Sequence, residues 1–173
     1  MQKLTKSILG SLLLSFFLFK TMAGIVEVGM DEGSVLKKKL FAGNEQISRM
    51  GDTTEVVIKT EGIELSYSVP EIRAKAGDIL SIQYINESDM NHNIVLVKSE
   101  EDIRPVGVAA LQATTNDWIP EKEMDRIVAY SALAHAGDTV SFSFVVPPPG
   151  IYPYICTYSA HWTQMQGRLI SIE

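Results

Sequence analysis

The chain has 173 residues, with 15 basic and 21 acidic side chains, three histidines and a single cysteine. Its net charge of −6 disfavours a nucleic-acid partner, because phosphate backbones recruit positive surfaces. One cysteine cannot close a disulfide within the chain, and the length allows one domain with a sizeable core.

The first residues read as a leader. Lys3 and Lys6 precede an apolar run over 8–19, Lys20 closes it, and Thr21-Met22-Ala23 offers small residues before a cleavage point. This is the layout of a secretory signal peptide spanning 1–23. The run is about 12 residues, short of the ~20 that a membrane-spanning helix needs. The expectation is an exported, periplasmic protein with no membrane span once the leader is gone. Retention as an N-terminal anchor is the alternative, and Lys20 speaks against it. Removing the leader takes away three lysines and no acid, leaving 12 basic against 21 acidic residues, a net −9. Such a surface suits salt-sensitive docking to a basic protein face. Exported chains usually pair their cysteines, so a solitary one needs another occupation.

Residues 24–53 mix glycine, charge and scattered apolar side chains, including Lys37-Lys38-Lys39, and are expected to be a linker or N-terminal extension. From Thr54 the pattern turns to period two. Val56 and Ile58 form one run, and Leu65, Tyr67 and Val69 form another stopped by Pro70. Residues 72–76 end in a Gly77-Asp78 turn, and 79–85 and 93–98 are the next strands. The stretch 99–120 breaks the rhythm, and Val106, Ala109, Ala110 and Ala113 predict one inserted helix or flap. Extended structure resumes over 127–134, 139–146, 151–157 and 167–172, with Pro147-Pro148-Pro149-Gly150 as an abrupt stop. The pattern predicts an all-β, eight-stranded, antiparallel Greek-key β-sandwich over 54–173 with one inserted helix.

The chemistry concentrates near the C-terminus. Cys156, His161 and Met165 are separated by four and then three intervening residues, just after an aromatic strand. A thiolate, an imidazole and a thioether make a soft donor set suited to copper that cycles between Cu(I) and Cu(II). A second imidazole would complete a trigonal His₂Cys site with a weak axial Met, and His92, at the head of a distant strand, is the natural donor. Taken singly, each residue has a plainer reading as a core thiol, a hydrogen-bonded histidine or an apolar filler. A structural zinc site prefers four Cys or His, and a Cys–His nucleophile leaves Met165 unexplained. His135 sits beside the Ala136-Gly137-Asp138 turn and is assigned no role.

These residues resemble a known family. The run from Cys156 to Met165 is similar to the ligand loop of the cupredoxins, the small blue copper proteins, with azurin-like spacing. Asn91-His92-Asn93 resembles their His-Asn strand, and Pro149-Gly150-Ile151-Tyr152 resembles the approach to the cysteine in azurins and auracyanins. The resemblance implies one type 1 copper ion held by His92, Cys156 and His161, with Met165 axial and the Asn91 carbonyl a possible opposite axial donor. It implies supporting roles for Asn93 and Thr157, and an apolar patch around His161 to which Trp162 and Met165 contribute. The implied function is electron transfer by a monomer through transient redox partners near His161, not enzymatic turnover. A periplasmic copper carrier or buffer without redox cycling is the alternative. Azurins carry Pro-Gly where this chain has Ser159-Ala160, so an extra N–H near the Cys156 sulfur, lowering the potential, is expected at Ser159.

Overall fold

Period-two patterning sets two layers. The computed structural model describes residues 51–173, so the expected leader and nearly all of the 24–53 extension lie outside the described residues. Three strands, β1 (Thr53–Gly62), β3 (Ile79–Ser88) and β6 (Thr139–Val145), form one sheet in the order β1-β3-β6. The other sheet runs β2-β8-β7-β4-β5, from β2 (Glu71–Lys75), β8 (Gln166–Ile172), β7 (Gly150–Ile155), β4 (Val95–Val97) and β5 (Ile127–Tyr130). Between them lies a core in which Ile58, Leu80, Ile82 and Tyr84 of the first sheet meet Ile72, Leu96, Tyr154 and Leu169 of the second.

Two strand pairs are parallel, β1 with β3 and β2 with β8, so the sandwich is mixed where an antiparallel one was expected. The stretch 65–69 also departs from expectation. It forms no strand, and its alternation serves a different end. Tyr67 is buried and donates its hydroxyl to the Asn93 carbonyl at 2.6 Å, while Ser68 N–H bonds back to Lys59. The segment carries the chain from β1 in one sheet to β2 in the other, so its inward side chains fill the core without a ladder partner.

β4 is short, and all three of its residues are buried. Strands covered on both faces lose the apolar–polar alternation. Ile94 and Leu96 face the sandwich core, whereas Val95 and Val97 join Val106, Ile119, Ile127 and Ile155 in a second cluster on the outer face. Each such side chain contributes about 1.5–3 kcal/mol by leaving water. The cover is the inserted helix, α1 (Glu100–Ala110), with Val106, Gly107 and Ala110 as its buried stripe. Arg126, ending a 3-10 turn over Glu121–Arg126, reaches back to Asp102 in the first turn of α1 at 2.6 Å.

Asn86 anchors the far end of β3. Alternation points it inward, fully buried, where a polar side chain must find partners. Its amide donates to the carbonyls of Met90, Ala134 and His135 at 2.7, 3.0 and 3.0 Å, and its oxygen accepts from Ser88 N–H and Oγ. The loop before β4 is thereby tied to the loop after β5.

Two substitutions test this packing. Gly107→Ala raises helix propensity, yet its Cβ would lie 2.3 Å from the Trp162 ring, and a rigid indole has no room to yield. We expect a net loss of about 1–3 kcal/mol in denaturant unfolding, with overpacking outweighing the propensity gain. Asn86→Asp turns a donor into a carboxylate facing three carbonyls. It should cost about 3 kcal/mol or more. Burial against three carbonyls raises the folded-state pKa, outweighing the two Ser88 donors, so the penalty should grow as pH rises through about 3.9, the unfolded value.

Candidate metal centre

Each side chain of the proposed centre is held by its own backbone. His92 precedes β4 and forms an isolated antiparallel bridge with Ala134, with N–H···O distances of 3.0 Å and 2.8 Å. The Ala134 carbonyl also receives the Asn86 amide, which bonds Met90 two residues before His92 as well. Cys156 follows β7 and donates its N–H to the Met165 carbonyl at 3.1 Å. His161 opens a short 3-10 turn, His161–Thr163, and its carbonyl accepts the N–H groups of Gln164 and Met165 at 2.9 and 2.8 Å. The nine residues between Cys156 and Gln166 are thus folded on themselves rather than spread over the surface.

Three donor atoms converge. Cys156 Sγ lies 3.6 Å from His92 Nδ1 and 3.7 Å from His161 Nδ1, and the two Nδ1 atoms are 3.2 Å apart. A point equidistant from the corners of that triangle sits about 2.0 Å from each, close to the roughly 2.0–2.3 Å of metal–imidazole and metal–thiolate bonds. Among the described residues this is the one cluster of three or more metal-capable side chains. The donors fit a metal ion, and their softness and trigonal His₂Cys arrangement fit copper better than zinc.

Burial keeps all three groups neutral at pH 7. Desolvation pushes the Cys156 thiol up to about 12, partly opposed by the N–H groups of Asn93 and Tyr158 directed at it. Desolvation, reinforced by the nearby His161, lowers His92 to about 4, and burial lowers His161 as well. His92 Nε2 is buried with no hydrogen-bond partner among the described residues. Its Nδ1 is therefore the ring atom aimed at the cluster.

Asn93 and Thr157 form a closed link between the two ligand-bearing segments. Thr157 N–H donates to Asn93 Oδ1 at 2.8 Å, Thr157 Oγ1 contacts the same oxygen at 3.1 Å, and Asn93 Nδ2 reaches Thr157 Oγ1 at 2.9 Å. Met165 is fully buried in the core cluster that holds Cys156, and Asn91 is half-buried directly before His92. His135 is exposed on its turn, apart from the triangle.

Two expectations need correction. Met165 has no exposed surface and so builds no open apolar patch with His161, while Trp162 is half-buried against Gly107 of α1. The aromatic neighbour of His161 is Tyr158, edge-on at 5.3 Å, which in turn meets Trp118 at 5.1 Å. Ser159, second, has φ +53°, which proline cannot adopt, and the N–H groups near the sulfur belong to Asn93 and Tyr158. The sign of such a bond reverses too. A donor dipole aimed at the sulfur favours the state with the extra electron, and so raises the potential.

Sequence reading passed over Asn86 and Trp118. Asn86 carried a legible signal, an asparagine at an inward position of an alternating strand, just before Glu87-Ser88-Asp89. Trp118 carried none, since its partner Tyr158 is set by the tertiary fold alone.

Residues 53–171 match the family of copper-binding proteins typified by plastocyanin and azurin. Auracyanin-A of Chloroflexus aurantiacus is 34% identical over 120 residues, spanning 66% of this chain and 72% of the relative. The solved structure of auracyanin A, a "blue" copper protein of that green thermophilic photosynthetic bacterium, superposes with a TM-score of 0.66 at 32% identity, covering 69% of this chain and 99% of the other. A dithionite-reduced auracyanin from Roseiflexus castenholzii gives 0.66 at 30% identity, covering 71% and 100%. The strands, the triangle of donors and these likenesses converge on one assignment: the chain belongs to the plastocyanin/azurin family of copper-binding proteins.

Proposed function

We propose that the domain is an exported blue copper protein that passes single electrons between redox partners through one type 1 centre. The observation that carries this reading is the triangle of His92 Nδ1, His161 Nδ1 and Cys156 Sγ, already at metal-binding spacing. His92, Cys156 and His161 would hold the copper, with the Met165 thioether and the Asn91 carbonyl as further donors. Copper bound there supplies one-electron chemistry between Cu(I) and Cu(II). The protein's own part is to hold the donors still and dry. His92, Cys156 and Met165 have no exposed surface, and His92 and Cys156 are fixed by strand pairing, so little rearrangement accompanies a change of charge. His161 is the half-buried member, and its ring, flanked by Tyr158, is the shortest way out to a docked partner.

Export rests on the leader-like residues 1–23 and on the single cysteine, buried and unpaired. Among the described residues no helix is long and apolar enough to cross a membrane. The net −9 of the chain without its leader favours a transient partner with a basic face. That a related auracyanin has been obtained in reduced form supports redox cycling over a carrier role. No step in this reading turns over a substrate.

Addition of Cu(II) should give an intense blue absorbance and an EPR signal with compressed copper hyperfine splitting. Cys156→Ser should abolish the colour while leaving the fold by circular dichroism. A colourless wild-type protein with ordinary tetragonal copper parameters contradicts the reading, and a colourless Cu(I) complex would favour a carrier.

Uptake of Cu(II) at pH 7 should release about one proton, from the Cys156 thiol, because both imidazoles are already neutral. Calorimetry in buffers of different ionisation enthalpy counts it. Without copper, His92 is neutral in the fold and protonates more readily when unfolded. Its contribution to stability is therefore intact above about 6.5 and is lost as pH falls toward about 4. Chemical unfolding of the copper-free protein between those values should show that decline.

A further inference from the structure

Among the described residues the two sheets end in four outer strands, β1, β6, β2 and β5. An outer strand presents a row of unpaired N–H and C=O groups unless charge, shortness or a cover blunts it. Three of the four are blunted. β1 carries Glu55, Lys59 and Glu61, and Ser68 covers its edge: Ser68 Oγ accepts the Lys59 N–H and Ser68 N–H donates to the Lys59 carbonyl, each at 2.8 Å. β2 has five residues, of which Glu71, Arg73 and Lys75 are charged. β5 has only four residues and meets β4 across a register shift.

β6 has none of these protections. Its seven residues include no charge, no proline and no glycine, in a chain of net charge −6. Valine, phenylalanine and threonine are strong strand formers. β3 takes one edge, from Ile79 opposite Val145 to Ile85 opposite Thr139. Among the described residues no backbone hydrogen bond reaches the other edge. Val140, Phe142 and Phe144 face the core yet stay only half-buried, and the two phenylalanine rings stack at 6.0 Å. Apolar side chains in that position gain by further burial.

The strand is also complementary to itself. Antiparallel pairing about a two-fold axis at Phe142 sets Phe142 opposite its own copy, Val140 opposite Phe144, Ser141 opposite Ser143 and Thr139 opposite Val145. Directly opposite residues share a face, so core-facing side chains meet core-facing ones and the serine hydroxyls meet outside. All seven residues are used and no like charges meet, whereas over the rest of the surface two acidic chains repel. We propose that β6 is the edge on which a second copy of this chain docks, joining two three-stranded sheets into one of six, in place of the monomer that the family resemblance implies. The contact closes at two copies, because the strands left outermost are the blunted β1 pair. β6 starts at the end of the sandwich that carries the donor triangle, since the Asp138 carbonyl accepts the Asn86 N–H and the Asn86 amide reaches Ala134, the bridge partner of His92. It runs away from that end to Val145. An antiparallel pair therefore points its two centres in opposite directions, and each copy keeps its own. The docking does not rest on the copper reading.

Sedimentation velocity, with and without copper, should show a dimer that grows with concentration and dissociates on dilution, as a small interface does. Ser141→Lys combined with Ser143→Lys sets lysine opposite lysine twice across the axis, at exposed positions where the fold loses only the 3.2 Å contact of Ser143 with Ser81. The dimer should weaken about tenfold, even though the added positive charge reduces the overall repulsion between two acidic chains. Ser141→Glu combined with Ser143→Glu should be monomeric alone, and mixing the two variants should restore a mixed dimer by pairing lysine with glutamate. In the wild-type protein, every second β6 amide should exchange hydrogen more slowly as concentration rises, with the β1 amides unchanged. A wild-type protein that stays monomeric at every soluble concentration overturns the proposal. So does a dimer indifferent to the lysines, a mixture that fails to pair, or β6 exchange that ignores concentration. Should the lysine variant lose its fold by circular dichroism, the exchange measurement on the wild type decides alone.

Discussion

The register of β4 against β7 is the constraint on which the centre depends. Val95 pairs with Ile155 and Leu96 with Tyr154. Carried one and then two steps beyond Val95 and Ile155, this antiparallel register sets Ile94 opposite Cys156 and Asn93 opposite Thr157. The hydrogen bonds between Asn93 and Thr157 are thus a side-chain continuation of a ladder that the backbone has stopped making. A slip of one residue would turn Cys156 from the sandwich core toward the helix and take His92 out of reach. Full burial of alternate faces opposes such a slip, with Leu96 and Tyr154 locked into one cluster and Val95 and Ile155 into the other.

Around that register the fold places polar groups where an apolar core would otherwise run to the end of the sandwich. Asn86, Ser131 and Asn93 are buried, and the side chain of each is hydrogen-bonded to backbone. Ser131 Oγ accepts the Ile94 N–H at 3.0 Å, and Tyr67 donates to the Asn93 carbonyl, so the segment that bears His92 is pinned from two sides. A partly satisfied network would be worse than an apolar one, because each unpaired buried group costs about 1–3 kcal/mol. These bonds hold the segments that bring three neutral donors to 3.2–3.7 Å from one another.

Much of this was legible in the residues. Period two marked the strands, and the soft donors at Cys156, His161 and Met165 marked the centre, because ligand chemistry is written in residue type and spacing. His92 was recoverable from the Asn-His-Asn run at a strand head. What failed to read through was tertiary in origin. Alternation at Leu65, Tyr67 and Val69 looks the same whether a segment joins a ladder or crosses between sheets. Exposure of Trp162 depended on where α1 came to rest, and Gly107, the residue that admits the indole, gives no hint of its partner. The left-handed backbone at Trp118 and Ser159 has no signature in side chains that normally avoid it.

The central claim is that the fold, and not the metal, sets the donor geometry. Crystal structures of the protein with and without copper test it most directly. The account predicts that the Nδ1–Nδ1 separation of 3.2 Å and the Nδ1–Sγ separations of 3.6 and 3.7 Å change little on loading, with copper bonded to His92, His161 and Cys156. A copper-loaded structure in which one histidine swings in from elsewhere, or in which the ion binds away from Cys156, would contradict it.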